Sequence, residues 1–198
     1  MGAVGSVNTE HLTGTLKMNH FLSFGERMYS LFENGKTEHQ FGCLHLDLDY
    51  LNRGNIKLAK ISVRNAGSGS RPVCLLTETF FEDEGSAYGF ISPTKDVIFL
   101  TRKKTLYLVS GMFKNKPYNQ SGVLKKQEIG FLGQPAKIPF SPIAGGEIRC
   151  LFTLEQQLET GETALAFSWA IASPLTPEAE NNLLKKHQEL KSTLAFSN

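Results

Sequence analysis

The chain has 198 residues, of which 40% are hydrophobic, so it is long enough for one domain with a sizeable core. Its formal net charge is only +2, and no apolar run approaches the roughly 20 residues of a membrane-spanning helix. Three widely spaced cysteines without a C-x-x-C pair argue against a disulfide framework and a zinc site, and they favour a reducing, cytoplasmic location.

The N-terminal part is predicted to be a tail followed by a helix. Residues 1–16 are small and polar without periodicity, which predicts a flexible tail. Its start, MGAVGS, fits the M-G-x-x-x-[ST] pattern of N-myristoylation, so Gly2 is a lipidation candidate. From Asn19 to Phe32 apolar residues recur at helical spacing, which predicts a leading helix that ends near Gly35.

The middle of the chain is predicted to form strands. From Cys43 to Leu51, leucines alternate with polar residues, which is typical of a strand with one buried face. Between Ile56 and Arg64 the apolar positions shift phase, which predicts a bulge near Ala59. Val73–Phe81 is apolar on both faces, as in a central strand.

Two hairpins are predicted further along. Val97–Leu100 and Leu106–Val109 flank a basic tip, and the Gly-, Pro- and Asn-rich segment Gly111–Gly146 is predicted to be mostly loop. A second hairpin pairs Glu147–Leu154 with Ala164–Ile171, whose side chains are large on one face and small on the other. Another element must therefore approach the small face closely.

The chain ends in a predicted helix, with Thr176 as its cap and Pro177 in its first turn. Together these elements predict a mainly β protein: an antiparallel β-sandwich or jelly-roll-like body with an N-terminal and a C-terminal α-helix. The predicted units are the tail, residues 1–16; the β-sandwich with its leading helix, residues 17–176; and the C-terminal helix, residues 177–198.

The charge is unevenly distributed along the chain. Between Val97 and Gln127 there is no acidic residue and there are seven basic ones: Arg102, Lys103, Lys104, Lys114, Lys116, Lys125 and Lys126. Aromatic residues, among them Tyr118, lie between these cations. Because single-stranded nucleic acid binds cationic grooves with aromatic faces under its bases, this window predicts a polyanion-binding face. A set of solvated surface lysines is the alternative.

No signal for catalysis is found. The motifs of α/β-hydrolases, zinc proteases, P-loop NTPases and dinucleotide-binding enzymes are absent, so no catalytic residue, cofactor or small-molecule substrate is predicted. His45, Asp47 and Asp49 share one strand face and could converge on a metal, which leaves a metal-dependent enzyme as one alternative. The simpler interpretation is a solvated face opposite a leucine core.

The leading hypothesis is a non-enzymatic polyanion-binding and assembly protein. Single-stranded nucleic acid is the first-choice partner. The protein would form a homo-oligomer through its terminal helices, and several weak binding sites would then act together on one strand. The predicted outline is similar to that of viral movement, capsid and matrix proteins. The alternative is a membrane-surface scaffold of matrix type, anchored by an acylated Gly2 and the basic window.

Overall fold

A computed structural model of the protein describes residues 15–24, 27–31, 38–92, 94–131 and 137–196. The predicted tail up to residue 14, with Gly2, lies outside these ranges. Within them the strands are β1 (Leu16–Phe24), β2 (Arg27–Ser30), β3 (Glu38–Phe41), β4 (Leu44–Arg53), β5 (Ile56–Asn65), β6 (Arg71–Phe81), β7 (Ala87–Ser92), β8 (Val97–Arg102), β9 (Thr105–Phe113), β10 (Lys116–Pro117), β11 (Gln120–Lys125), β12 (Ile143–Gly146), β13 (Ile148–Leu158) and β14 (Thr163–Pro174). A 3₁₀ helix (Lys126–Phe131) follows β11, and the helix α1 (Ala179–Ala195) follows β14.

The strands form two antiparallel sheets that pack face to face. The five-stranded sheet has the order β11-β13-β6-β1-β2. The large sheet has the order β12-β7-β8-β9-β14-β5-β4-β3, and β10 pairs with β9. Inward-facing side chains of both sheets, such as Leu75, Phe152 and Leu48, form one continuous core. The predicted β-sandwich with a C-terminal helix is therefore confirmed.

The predicted N-terminal helix is wrong, because the segment forms the hairpin β1–β2. Phe24 pairs with Arg27, and β1 also pairs with β6 from Leu16 to Ser23. The segment also contains a pattern with a period of two, which is typical of a strand: Leu16, His20 and Leu22 all point into the core. Neighbouring strands satisfy the backbone and bury this alternating set, so tertiary pairing decides the structure.

The predicted bulge near Ala59 is also wrong. The register of β5 with both neighbouring strands runs through Ala59 without interruption. The phase shift arises because β5 is apolar on both faces: Ile61 belongs to the core between the sheets, whereas Leu58 packs in the core beneath α1. The segment Gly111–Gly146 likewise holds more strand than predicted, since it contains β11, a full partner of β13.

The predicted second hairpin is wrong: β13 and β14 are consecutive strands, but β13 pairs with β11 and β6 in one sheet and β14 pairs with β9 and β5 in the other. The two faces of β14 have different neighbours, as its division into large and small side chains predicts. The large face, with Phe167 and Trp169, packs against α1. The small face meets the five-stranded sheet so closely that a Cβ on the neighbouring Gly111 would lie 2.6 Å from Cε2 of Phe152. Small residues here give the two sheets room to approach.

Helix α1 packs on the large sheet of the same chain. It begins at Ala179, whose backbone N–H donates to the Thr176 carbonyl, so the predicted start at Pro177 is two residues early. Its buried face includes Leu183, His187 and Leu194. This face is thus covered within the chain, and the described residues of the predicted leading helix form strands, so a homo-oligomer built through terminal helices stays a prediction.

Candidate anion-binding site

The structure divides the basic window between the two ends of the sandwich. Lys103 and Lys104 form the turn before β9, and Lys114 follows its last residue. Strand β9 has nine residues, so these turns are separated by about 30 Å at roughly 3.3 Å per residue. We call them the hairpin end and the groove end. Lys125 pairs with the first residue of β13 and lies toward the hairpin end.

Arg102 is buried at the hairpin end and is not a surface cation. Only 4% of it is exposed. Its guanidinium donates to the Asp83 carboxylate and, over 2.5 Å, to the Glu84 carbonyl, and it lies 4.9 Å from the centre of the Phe81 ring. The pKa of Asp83 is lowered, first by the hydrogen bond from Arg102. This arginine therefore fixes the acidic loop to the basic hairpin.

The remaining cations of the hairpin end are mixed with carboxylates. The Nζ of Lys103 lies 3.7 Å from Asp83, and the Nζ of Lys126 lies 3.1 Å from Glu147. Lys104 and Lys125 are exposed, and neither side chain has an ion-pair partner within the described ranges. Sequence reasoning missed this because the acids come from turns outside the basic window.

At the groove end, Lys114 is occupied and Lys116 is not. The Nζ of Lys114 lies 2.5 Å from Glu162 and donates to the Gln157 carbonyl over 3.2 Å. Its hydrogen bond is the main reason that the pKa of Glu162 is lowered. Lys116 is exposed and has no ion-pair partner among residues that the structure describes. It faces an open groove.

This groove, of about 930 Å³, lies at the groove end, beside the five-stranded sheet. Its lining comes from β1, β6, β10, β13 and the turn before β11: Ser23, Phe24, Arg71, Pro72, Val73, Cys74, Lys116, Asn119, Glu155, Gln156 and Gln157. Arg71, the first residue of β6, is exposed and also has no ion-pair partner in the described part of the chain. The groove therefore brings together two unpaired cations that are far apart in sequence.

The floor of the groove is held in place by hydrogen bonds. Oε1 of Glu155 accepts from Gln120 Nε2 over 3.2 Å and from Thr153 Oγ1 over 2.9 Å. The backbone N–H of Glu155 donates to Asn119 Oδ1 over 2.8 Å. Cys74 pairs with Glu155 in register, and burial, with that carboxylate, raises the pKa of its thiol to about 12. The thiol is therefore protonated and is no nucleophile.

The aromatic residues of the basic window belong to the core. Tyr118 is half-buried, with its ring centre 5.6 Å from that of Phe152. Phe99 and Phe113 are fully buried, and only 4% of Tyr107 is exposed. The aromatic residues of the window therefore provide no exposed platform on which bases could stack. Phe24, outside the window, is the aromatic residue that lines the groove.

The candidate metal ligands His45, Asp47 and Asp49 lie on the exposed outer face of β4. Asp49 pairs with Lys60 on β5, and His45 pairs with Arg64, so cations stand opposite them. In the described ranges, no group of three or more His, Cys, Asp and Glu side chains could hold a metal ion.

A polar cluster between the sheets was not anticipated from the sequence. His20 lies 2.8 Å from the Tyr50 hydroxyl through Nδ1 and 2.5 Å from Ser168 Oγ through Nε2. Burial lowers the pKa of His20 to about 3, so the ring is neutral at pH 7. Because His20 and Ser168 are closed off from solvent, this cluster links the sheets rather than presenting a nucleophile.

No protein-family model and no curated protein matches the chain. Among solved structures it is similar to a family GH92 inverting mannosidase from Bacteroides thetaiotaomicron, with 13% identity and a TM-score of 0.44, over 92% of this chain and 25% of that chain. It is also similar to a family GH92 alpha-mannosidase from that organism, with 9% identity and a TM-score of 0.37, over 87% of this chain and 30% of that chain. The chain thus spans under a third of these structures, and likeness at this level carries no argument about activity.

None of the helices described is both long enough and apolar enough to cross a bilayer.

Proposed function

We propose that the protein is a non-enzymatic module that binds single-stranded nucleic acid across the groove. The observation that carries the proposal is that Arg71 and Lys116, both exposed and both without an ion-pair partner in the described ranges, line the same groove. Cations held in this way are free to exchange their counterions for phosphates. The binding surface is therefore the groove, not the whole basic window.

The composition of the groove favours a nucleic acid strand over a flat anionic surface. Its floor offers the amide groups of Asn119 and Gln157 and the carboxylate of Glu155, beside the two cations. Base edges present both donors and acceptors, which amides and carboxylates can bind, whereas phosphates match the cations. A bilayer surface is flat and cannot reach a carboxylate in the floor of a concave site.

The test is the affinity of wild type and of Arg71→Gln/Lys116→Gln for a labelled single-stranded RNA, by fluorescence anisotropy at two salt concentrations. At roughly 0.7 per phosphate contact, losing both cations should make the log–log salt slope shallower by about 1.4. Affinity at low salt should fall about tenfold or more, because each contact releases counterions.

The matched control is Lys104→Gln/Lys125→Gln, which removes the same charge from two exposed lysines of the hairpin end. This control should bind like wild type, apart from a small change in long-range attraction. Equal losses in both double variants would mean that overall charge, not the groove, attracts the RNA. Failure of wild type to bind single-stranded RNA at low salt would reject the proposal.

A further inference from the structure

One edge of the sandwich exposes a group of large apolar side chains. The exposed fractions are 83% for Phe140, 70% for Ile143, 64% for Tyr88 and 38% for Phe90. Ile143 pairs with Phe90 across β12 and β7, and Phe140 precedes Ile143 by three residues. We call these four residues the apolar ridge. Isolated exposed apolar residues are ordinary, but such a group marks an interaction surface.

The ridge continues the apolar face that α1 covers. The ring centres of Phe90 and Phe99 are 5.1 Å apart, and Phe99 is buried in the core beneath the helix. Helix α1 packs on β14 and β9, whereas the outer faces of β7 and β12 extend beyond it. At the far side the ring of Tyr88 lies against Gly145, where a Cβ would be 2.8 Å from the ring.

The ridge lies where the chain crosses between the two sheets. The backbone N–H of Val123 on β11 donates to the Ser141 carbonyl, and that of Ile91 on β7 donates to the Pro142 carbonyl. The crossing segment therefore closes this side of the sandwich. The exposed side chains of Phe140 and Ile143 stand on that closed edge, outside the groove.

Two lysines lie near the ends of the ridge: Lys125 lines a pocket with Gly145, against which the Tyr88 ring packs, and Lys137 precedes Phe140 by three residues. Lys137 and Lys125 are exposed, and neither side chain has an ion-pair partner within the described ranges. Lys126 is paired with Glu147, and the Glu128 carboxylate accepts the backbone N–H of Lys125. Lys125 and Lys137 are therefore the cations without an ion-pair partner, among the described residues, beside the exposed Phe, Tyr and Ile side chains.

We infer that the apolar ridge docks on an anionic bilayer surface. Phenylalanine and isoleucine side chains enter the boundary between headgroups and acyl chains, and tyrosine prefers the interface itself. Lys125 and Lys137 would lie beside the inserted residues, where anionic lipid attracts them. This surface is separate from the groove and does not rest on nucleic acid binding.

The experiment is flotation of the full chain with vesicles of phosphatidylcholine alone or with about 30% phosphatidylserine. Wild type should float with the anionic vesicles and bind the neutral ones more weakly, because the lysines contribute only near negative lipid. Phe140→Ser/Ile143→Ser should lose at least about tenfold in vesicle affinity, since it removes the two most exposed side chains of the ridge.

The matched control is Leu51→Ser/Phe196→Ser, which removes two large exposed side chains from elsewhere on the surface, where they are 55% and 91% exposed. It should float like wild type, as should Arg71→Gln/Lys116→Gln. Circular dichroism melts of all variants should coincide with wild type. The inference is overturned if wild type ignores both kinds of vesicle, or if the ridge variant floats normally. It is also overturned if the ridge variant loses only self-association in sedimentation, since the ridge would then belong to a second copy.

Discussion

The two ends of the sandwich both carry lysines, yet they differ in what surrounds them. At the hairpin end a buried Arg102 and the exposed Lys103 converge on Asp83, and Lys126 meets Glu147. At the groove end Lys114 is paired, but Lys116 and the distant Arg71 face open space over a polar floor. The comparison shows that the basic window does not form one site: the fold neutralises several of its cations, and the groove adds Arg71 from outside it.

Acidification sharpens the comparison, because the ends and the interior should lose stability over different pH ranges. Burial lowers the pKa of His20 to about 3 and that of His187 to about 4, both below the ordinary 6.5. The unfolded chain therefore binds more protons, and the free energy of unfolding should fall by about 1.4 kcal/mol per pH unit and histidine as the pH drops from 6.5 toward 4. Asp83 and Glu162, whose pKa values are lowered, lose their contribution only at lower pH.

Urea unfolding at pH 6.5, 5.5 and 4.5 measures this slope, and His187→Gln is the informative variant. Nδ1 of His187 accepts from Trp169 Nε1 over 3.3 Å, and a glutamine keeps an acceptor without the titration. The variant should lose about half of the slope. An unchanged slope would place the acid sensitivity in groups other than His187.

Replacing Arg102 tests whether the hairpin end is structural. Arg102→Met should lower the free energy of unfolding by roughly 3 kcal/mol, because a buried guanidinium that joins the acidic loop to the hairpin is removed. Lys104→Met, two positions along the same turn, should stay within about 0.5 kcal/mol of wild type. Denaturation in urea at pH 7 compares the two. If Arg102→Met hardly lowers the free energy of unfolding and leaves RNA affinity unchanged, the hairpin end contributes neither to stability nor to binding.

Replacing either lysine of the groove end should have the smallest effects, and the two variants should change different properties of the protein. Lys114→Gln should cost under about 1 kcal/mol of stability, decreasing with salt, and leave RNA affinity nearly unchanged, because its partner Glu162 already neutralises it. Lys116→Gln should leave stability unchanged and weaken RNA binding. Thermal melts and anisotropy on the same samples measure both quantities. If Lys114→Gln weakens RNA binding as much as Lys116→Gln, the distinction between paired and unpaired lysines fails.

Strong local patterns allowed much of the fold to be predicted from sequence. The alternation in β13 and the division of β14 into large and small faces predicted both strands, and Thr176-Pro177 placed the last helix within two residues. The pairing of these two strands was not predicted, because their partners come from distant parts of the chain. The pattern around Phe21 and Phe24 fits a helix and a strand equally well. There the choice depends on β6, a partner some 50 residues away, and no local window contains it.

The candidate site was less predictable, because electrostatic partners are set by the fold. Asp83 and Glu162 neutralise members of the basic window from positions outside it. Arg71 stands alone in the sequence, and nothing there marks it as a neighbour of Lys116. The register of β6 with β13 and the course of β10 bring them to one groove.

The unequal faces of β14 determine where the chain can be shortened. A truncated protein ending at residue 176 would keep every strand but would leave Phe167, Trp169 and Ile171 facing water. Exposed aromatic and branched side chains on a sheet face promote aggregation. The C-terminal helix thus covers the core on the outer face of the large sheet, and recombinant fragments should retain it to stay soluble.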